Sequence, residues 1–249
     1  HGISLTGGSL STNAASIGIT LSGTTGSSSG VCAGINISGG TIVTTSGDIS
    51  LTGVANGGGS STGSAGLFMN TINGITSSAG NITISGISNS SGSESHGVDW
   101  RQSGATGSTG TFTFTSCRGG SLSASYGIVI AASFSNGGSI IATNAISSGT
   151  GNTNLNAGGF FTNNNITSTN GSIQITASGA NLTAGSGSGV GIQLSGGTMS
   201  VTGNNTITLI GVGAPVGVGS SGILLAGSTI TSSSGLISLT GSVSGGSGS

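Results

Sequence analysis

Residues 34–53 read GINISGGTIVTTSGDISLTG, and residues 222–241 read GILLAGSTITSSSGLISLTG. In both stretches apolar residues alternate with small polar ones in short runs, the period-2 signature of strands that bury one face. Working outward, a glycine heads each further copy: Gly2, Gly34, Gly66, Gly97, Gly127, Gly159, Gly191 and Gly222, at spacings of 32, 32, 31, 30, 32, 32 and 31 residues. Eight such units account for nearly all of the 249 residues. No segment has the 3.6-residue spacing of an amphipathic helix.

Aligning the units gives three apolar columns. The run after the leading glycine contributes Ile3/Leu5, Ile35/Ile37, Leu67/Met69, Val98/Trp100, Ile128/Ile130, Ile192/Leu194 and Ile223/Leu225, with a weaker Phe160/Thr162 in the unit at Gly159. A second column holds Leu10, Ile42, Ile75, Ile166, Met199 and Ile230. The third holds Ile49/Leu51, Ile82/Ile84, Phe112/Phe114, Ile173/Ile175, Ile207/Leu209 and Ile237/Leu239. Antiparallel hairpins would alternate too, but they predict no unit-to-unit register of three columns. The pattern therefore predicts an all-β protein, a right-handed parallel β-solenoid (β-helix) of about eight coils of ~31 residues with three short strands each. Residues 1–249 form a single continuous repeat array, and at about 4.8 Å per coil it makes a rod about 38 Å long. Segments such as 54–65, VANGGGSSTGSA, read as corner loops whose glycines supply positive φ.

Composition narrows the function. Charged residues make up 2% of the chain and the formal net charge is −1, against roughly 25% charged residues in ordinary domains. There is no electrostatic footprint for nucleic acid or an anionic membrane, and no apolar run approaches the roughly 20 residues of a membrane-spanning helix. Two Arg, three acids and two His leave too few titratable groups to build a catalytic pocket. No enzyme, cofactor or metal site is expected. A polysaccharide-cleaving site of the kind other β-helices carry is also disfavoured, because Asp48 and Asp99 fall about two coils apart and the chain has no Lys. Disorder is opposed by 33% hydrophobic residues and a mean hydropathy of +0.33.

The phrase GIxLxGGTIxS…GxIxLTG, present at Gly34, Gly191 and Gly222 and more loosely elsewhere, resembles the repeat regions of filamentous-haemagglutinin-like bacterial exoproteins. The resemblance spans essentially the whole chain as a style of repeat. It implies an extracellular or bacterial cell-surface location, an elongated scaffold and an adhesin-type role, with no catalytic residues to transfer. That family's Asn-Pro-containing secretion motifs are not evident, since Pro215 follows Ala214. Neither end reads as a capping unit: joining Ser249 to His1 gives SGGSGSHGISLTGG, close to the internal junction SGSGVGIQLSGG of residues 186–197. The array therefore reads as open, either a segment of a longer repetitive protein or a homo-oligomer subunit whose ends stack on other copies.

The expected function is structural, a cell-surface fibre or adhesin stalk. The alternative is a flat solenoid face that binds a ligand, a host-cell or polysaccharide surface or ice, for which regularly spaced outward Thr would be the mark. Thr111, Thr113 and Thr115 fit that mark, but the matching offsets elsewhere carry Ser, Gln or Asn. The one local anomaly is ESHGVDWR, where Glu94, His96, Asp99 and Arg101 gather four of the seven ionisable residues. Asp99 and Arg101 fall at outward offsets and Trp100 at an inward one, which predicts a solvated ion pair beside a core tryptophan, a surface contact patch for a sugar or partner. Asn-x-Ser/Thr acceptor sequences include those at Asn36, Asn81, Asn89, Asn165, Asn181 and Asn204, with Asn89 best placed for a glycan in SNSSGS. Cys32 and Cys117 belong to different parts of the coil, about 10–14 Å apart, beyond the roughly 7 Å Cα separation of a disulfide. Two buried free thiols are expected.

Overall fold

A computed structural model describes residues 1–14, 17–26, 30–57, 63–71, 74–101, 104–105, 109–121, 124–148, 157–179, 188–215 and 219–243. Every regular element among them is a β-strand, and none is a helix long and apolar enough to cross a membrane. All strand pairings are parallel and join one repeat to the next. The chain is a parallel β-solenoid. Its first sheet holds eight strands, from Ile3–Leu5 through Ala33–Ile37 and His96–Trp100 to Ser221–Leu225.

Register in that sheet follows the aligned columns. Ile3 pairs with Ile35, Ile35 with Leu67, Leu67 with Val98, Val98 with Ile128, Ile128 with Phe160, Phe160 with Ile192 and Ile192 with Ile223. The weak unit fits without a gap. Thr162 occupies an inward position at 2% exposure, and its hydroxyl donates to the Ile130 carbonyl at 3.0 Å, so the buried polar group is satisfied. In the third sheet Ile19/Leu21 and Ile140/Ala142 complete the column. The second sheet is split into three strands and five, with the break before Gly104–Ala105. There the column position is Gly104, which has no side chain to bury, and the next position is Phe134.

The leading glycines have a different physical cause from the one expected of corner glycines. Among the described glycines, positive φ is found at Gly8, Gly39, Gly63, Gly196, Gly197, Gly203, Gly219 and Gly227 and at no leading glycine. The leading glycines lie instead where the first sheet crosses the third backbone to backbone. A methyl group on Gly127 would stand 2.6 Å from the Ile146 nitrogen and 2.8 Å from the Cys117 oxygen. The facing column is small as well: Gly23, Gly53 and Gly86 stack in register at one end, and Ala145, Ala177, Gly211 and Gly241 at the other. Where that column turns larger, Ser116 and Asn144 in successive coils adopt φ of 51° and 55°. A register shift between Ala142 and Ala145 marks the bulge.

The abundant Ser, Thr and Asn work as a second stacking system. At the corner before the third sheet, Asp48 Oδ1 accepts the Asn81 amide at 2.7 Å and Asn81 Oδ1 accepts the Thr111 amide at 2.9 Å. Further along, Ser139 Oγ accepts the Ser172 amide and Ser172 Oγ the Thr206 amide. At the approach to the first sheet, amides of Cys32 and Ser95 donate to the hydroxyls of Ser64 and Ser125 one coil on. Corner amides that no strand satisfies thus find side-chain oxygens in the neighbouring coil.

Candidate functional site

Coil four departs from its neighbours inside and out. Its core is aromatic: Trp100, fully buried, meets Phe112, Phe114 and Phe134 edge to face at ring-centroid distances of 5.4, 6.0 and 5.5 Å. Such pairs contribute beyond their buried area. Trp100 Nε1 is a buried polar atom with no hydrogen-bond partner among the described residues.

Outside, the four residues of ESHGVDWR do gather. Arg101 Nε and Nη2 grip Asp99 side-on, with Nε to Oδ1 at 3.0 Å and Nη2 to Oδ2 at 2.9 Å. The Asp99 side chain is only 5% exposed against 53% for Arg101. The expectation of a solvated pair therefore holds for one partner only. Asp99 is buried because its register neighbours on the outer face are Phe68 and Val129, and the apolar side chains shield it. Arg101 lies 5.3 Å from the Phe68 ring centroid, a cation–π arrangement. Its hydrogen bond to Asp99 raises the guanidinium above its ordinary value. Glu94 is exposed and holds a left-handed φ of 54°. His96 begins the first-sheet strand of this coil, and burial lowers its pKa despite the opposing fields of Asp99 and Glu94. Among the described residues no three His, Cys, Asp or Glu side chains converge as metal ligands.

Several neighbours of this patch come from other coils. The Tyr126 ring stands 6.0 Å from His96 and 5.2 Å from Phe161. The outer rank of the first sheet thus runs Asn36, Phe68, Asp99, Val129, Phe161, Gln193 in register. No sequence motif marks Phe68, Tyr126 or Phe161, though a one-repeat offset from Asp99 and His96 finds the first two and a two-repeat offset from Asp99 finds Phe161. The matching rank of the third sheet reads Thr20, Ser50, Thr83, Thr113, Ile141, Gln174, Thr208, Ser238, hydroxyl-rich but interrupted at Ile141 and Gln174.

Asn89 is exposed, and both ends of its amide are engaged. Nδ2 donates to Asn56 Oδ1 at 2.8 Å, and Oδ1 accepts Arg118 Nη2 at 2.6 Å. Asn56 in turn donates to the Thr25 carbonyl, so a polar ladder crosses four coils and ends on Arg118. Asn36 is 7% exposed. Asn81 and Asn165 spend their carbonyl oxygens on the amides of Thr111 and Thr198, and Asn204 accepts the Ser234 hydroxyl. Asn181 lies outside the described residues. Cys32 and Cys117 are both buried free thiols. Burial pushes the Cys117 thiol up to about 12. No protein-family model, curated protein or solved structure matches this chain.

Proposed function

We propose that the chain is a structural rod, a segment of an extracellular fibre or adhesin stalk at the bacterial cell surface. The observation that carries this reading is the unbroken register of the first sheet across all eight strands over one apolar column. A column of this kind resists bending and shear because every coil is held by backbone hydrogen bonds and by core side chains from the coils on either side. Near-absence of charge supports the same role, since stacking of nearly uncharged coils is insensitive to salt. The style of the repeat, similar to filamentous-haemagglutinin-like exoproteins, supports the location.

In this reading the rod extends by the rule that builds it. Leu225 and Leu239 in the last coil are 43% and 44% exposed, whereas their column partners Leu194 and Leu209 are 2% and 0% exposed. Negative-stain electron microscopy of the purified chain across a dilution series tests the proposal. Uniform unbranched rods, lengthening end to end as concentration rises, are the expected result. Irregular particles without a constant width would overturn it, as would cleavage of a polysaccharide that Asp99→Ala abolishes.

A further inference from the structure

We infer that the outer face of the first sheet carries a binding pocket for one pyranose ring of a neutral glycan, floored by Asn36 and Phe68. These two residues are register partners in the second and third coils and point away from the core. They line a cavity of about 280 Å³ whose walls include Val31, Ala33 and Ala65. Its volume, at the low end of the roughly 300–1,000 Å³ of pockets for drug-sized ligands, suits a single ring.

The lining selects the chemistry. Asn36 is 7% exposed, and its Nδ2 is fixed by Ser4 Oγ at 3.2 Å and Ser38 Oγ at 3.4 Å. That leaves the Asn36 carbonyl oxygen oriented and without a partner among the described residues, an acceptor for a ligand hydroxyl. Ser38, also in the lining, receives the Asn36 amide and keeps its own proton to donate. The Phe68 ring gives a flat apolar surface, stiffened from the adjoining coil by the Arg101 guanidinium. A sugar ring presents the complement of both, with hydroxyls at its edge and a C–H face for the aromatic ring. Charge favours a neutral ligand: among the described residues no Asp, Glu, Lys or Arg lines the cavity, the His1 imidazole in its wall already accepts the Ala33 amide at Nδ1, and Arg101 is neutralised side-on by Asp99. This inference does not depend on the rod's being a fibre.

The test is saturation-transfer NMR on the intact chain with the methyl glycosides of glucose, galactose and N-acetylglucosamine as probes. Transfer to the ring protons of at least one of them is expected, with weak affinity as befits one ring. Phe68→Ala and Ser38→Ala should each weaken it at least tenfold while the far-UV spectrum stays unchanged. Val43→Ala, on the outer face of the second sheet, should leave it as it was. The inference is overturned if the wild-type chain gives no transfer with any of the three, or if Phe68→Ala binds equally well. It is overturned too if only glucuronic acid or sulfated sugars bind, or if indole, which has no hydroxyl, binds as tightly as the glycoside.

Discussion

Replacing Gly191 by Ala separates two roles that glycine plays in this chain, because Gly203 in the same coil serves the other. A methyl group on Gly191 would lie 2.5 Å from the Val212 nitrogen, 2.6 Å from the Gly222 oxygen and 2.9 Å from the Gly211 carbonyl carbon. Ordinary contact begins at 3.4 Å, so the closest approach must open by 0.9 Å. The obstructing atoms are backbone, and Val212 is locked in the third sheet between Ser178 and Ser242, its oxygen accepting the Gly179 amide at 2.7 Å. Opening of that size takes ladder bonds beyond hydrogen-bond range. Overpacking costs about 1–3 kcal/mol and a lost ladder bond about 1 kcal/mol more, while the stiffer unfolded chain returns about 0.4–1 kcal/mol. The net loss is about 2 kcal/mol. Gly203 has the opposite problem: its φ is 64°, yet the nearest atom to an added methyl is Asn205 Nδ2 at 4.0 Å. A left-handed Ala costs about 1–2 kcal/mol, reduced by the same entropy term to about 1 kcal/mol. Urea denaturation followed by far-UV circular dichroism, with hydrogen exchange at the third-sheet amides of that coil, reads the difference. The exchange measurement matters because a solenoid's stability is a sum over neighbours. Gly203→Ala proving as damaging as Gly191→Ala would refute the close-approach argument.

Three further outcomes are expected. Trp100→Ala should lower stability by about 3–5 kcal/mol by leaving a cavity among Phe112, Phe114 and Phe134. Trp100→Phe should cost clearly less, since it keeps a ring and removes the unpartnered Nε1–H; equal thermal midpoints for the two variants would contradict this. With its pKa pushed up to about 12, the Cys117 thiol should resist iodoacetamide at neutral pH in the folded chain and react after unfolding, a contrast that peptide mass spectrometry reads directly. His96 has a folded pKa below its ordinary 6.5, so the unfolded chain binds the proton more readily. Its contribution to stability should be fully present above about pH 6.5 and decline as pH falls below it, by at most about 1.4 kcal/mol per pH unit. The decline in denaturation midpoint between pH 7.5 and pH 5.5 should be smaller in His96→Ala, and identical pH dependence in the two chains would argue against a desolvated neutral imidazole.

The repeat length, the strand content and most of the inward residues are written in the sequence. Alternation fixes which side chains share a face within a strand, and a near-constant period carries that face from one coil to the next, as the run from Ile3 to Ile223 illustrates. Phe134 stands in the second column between Gly104 and Ile166, so the one-repeat offset from Ile166 marks it, whereas the glycine on its other side offers no apolar residue to match. The anomaly of coil four is equally legible, since charge is scarce enough for a single cluster to stand out. Other features belong to stacking. Asp99 is buried by Phe68 and Val129, roughly one repeat away on either side, and the Asn56–Asn89–Arg118 ladder joins residues 33 and 29 positions apart. The Asn36–Phe68 pocket is likewise made by register. The leading glycines show the division most plainly. Their recurrence marks the repeat, but their cause is the crossing of two backbones whose separation only the closed coil sets. Local sequence determines which face a side chain takes, whereas what lies beside it on the outer surface depends on how distant segments stack.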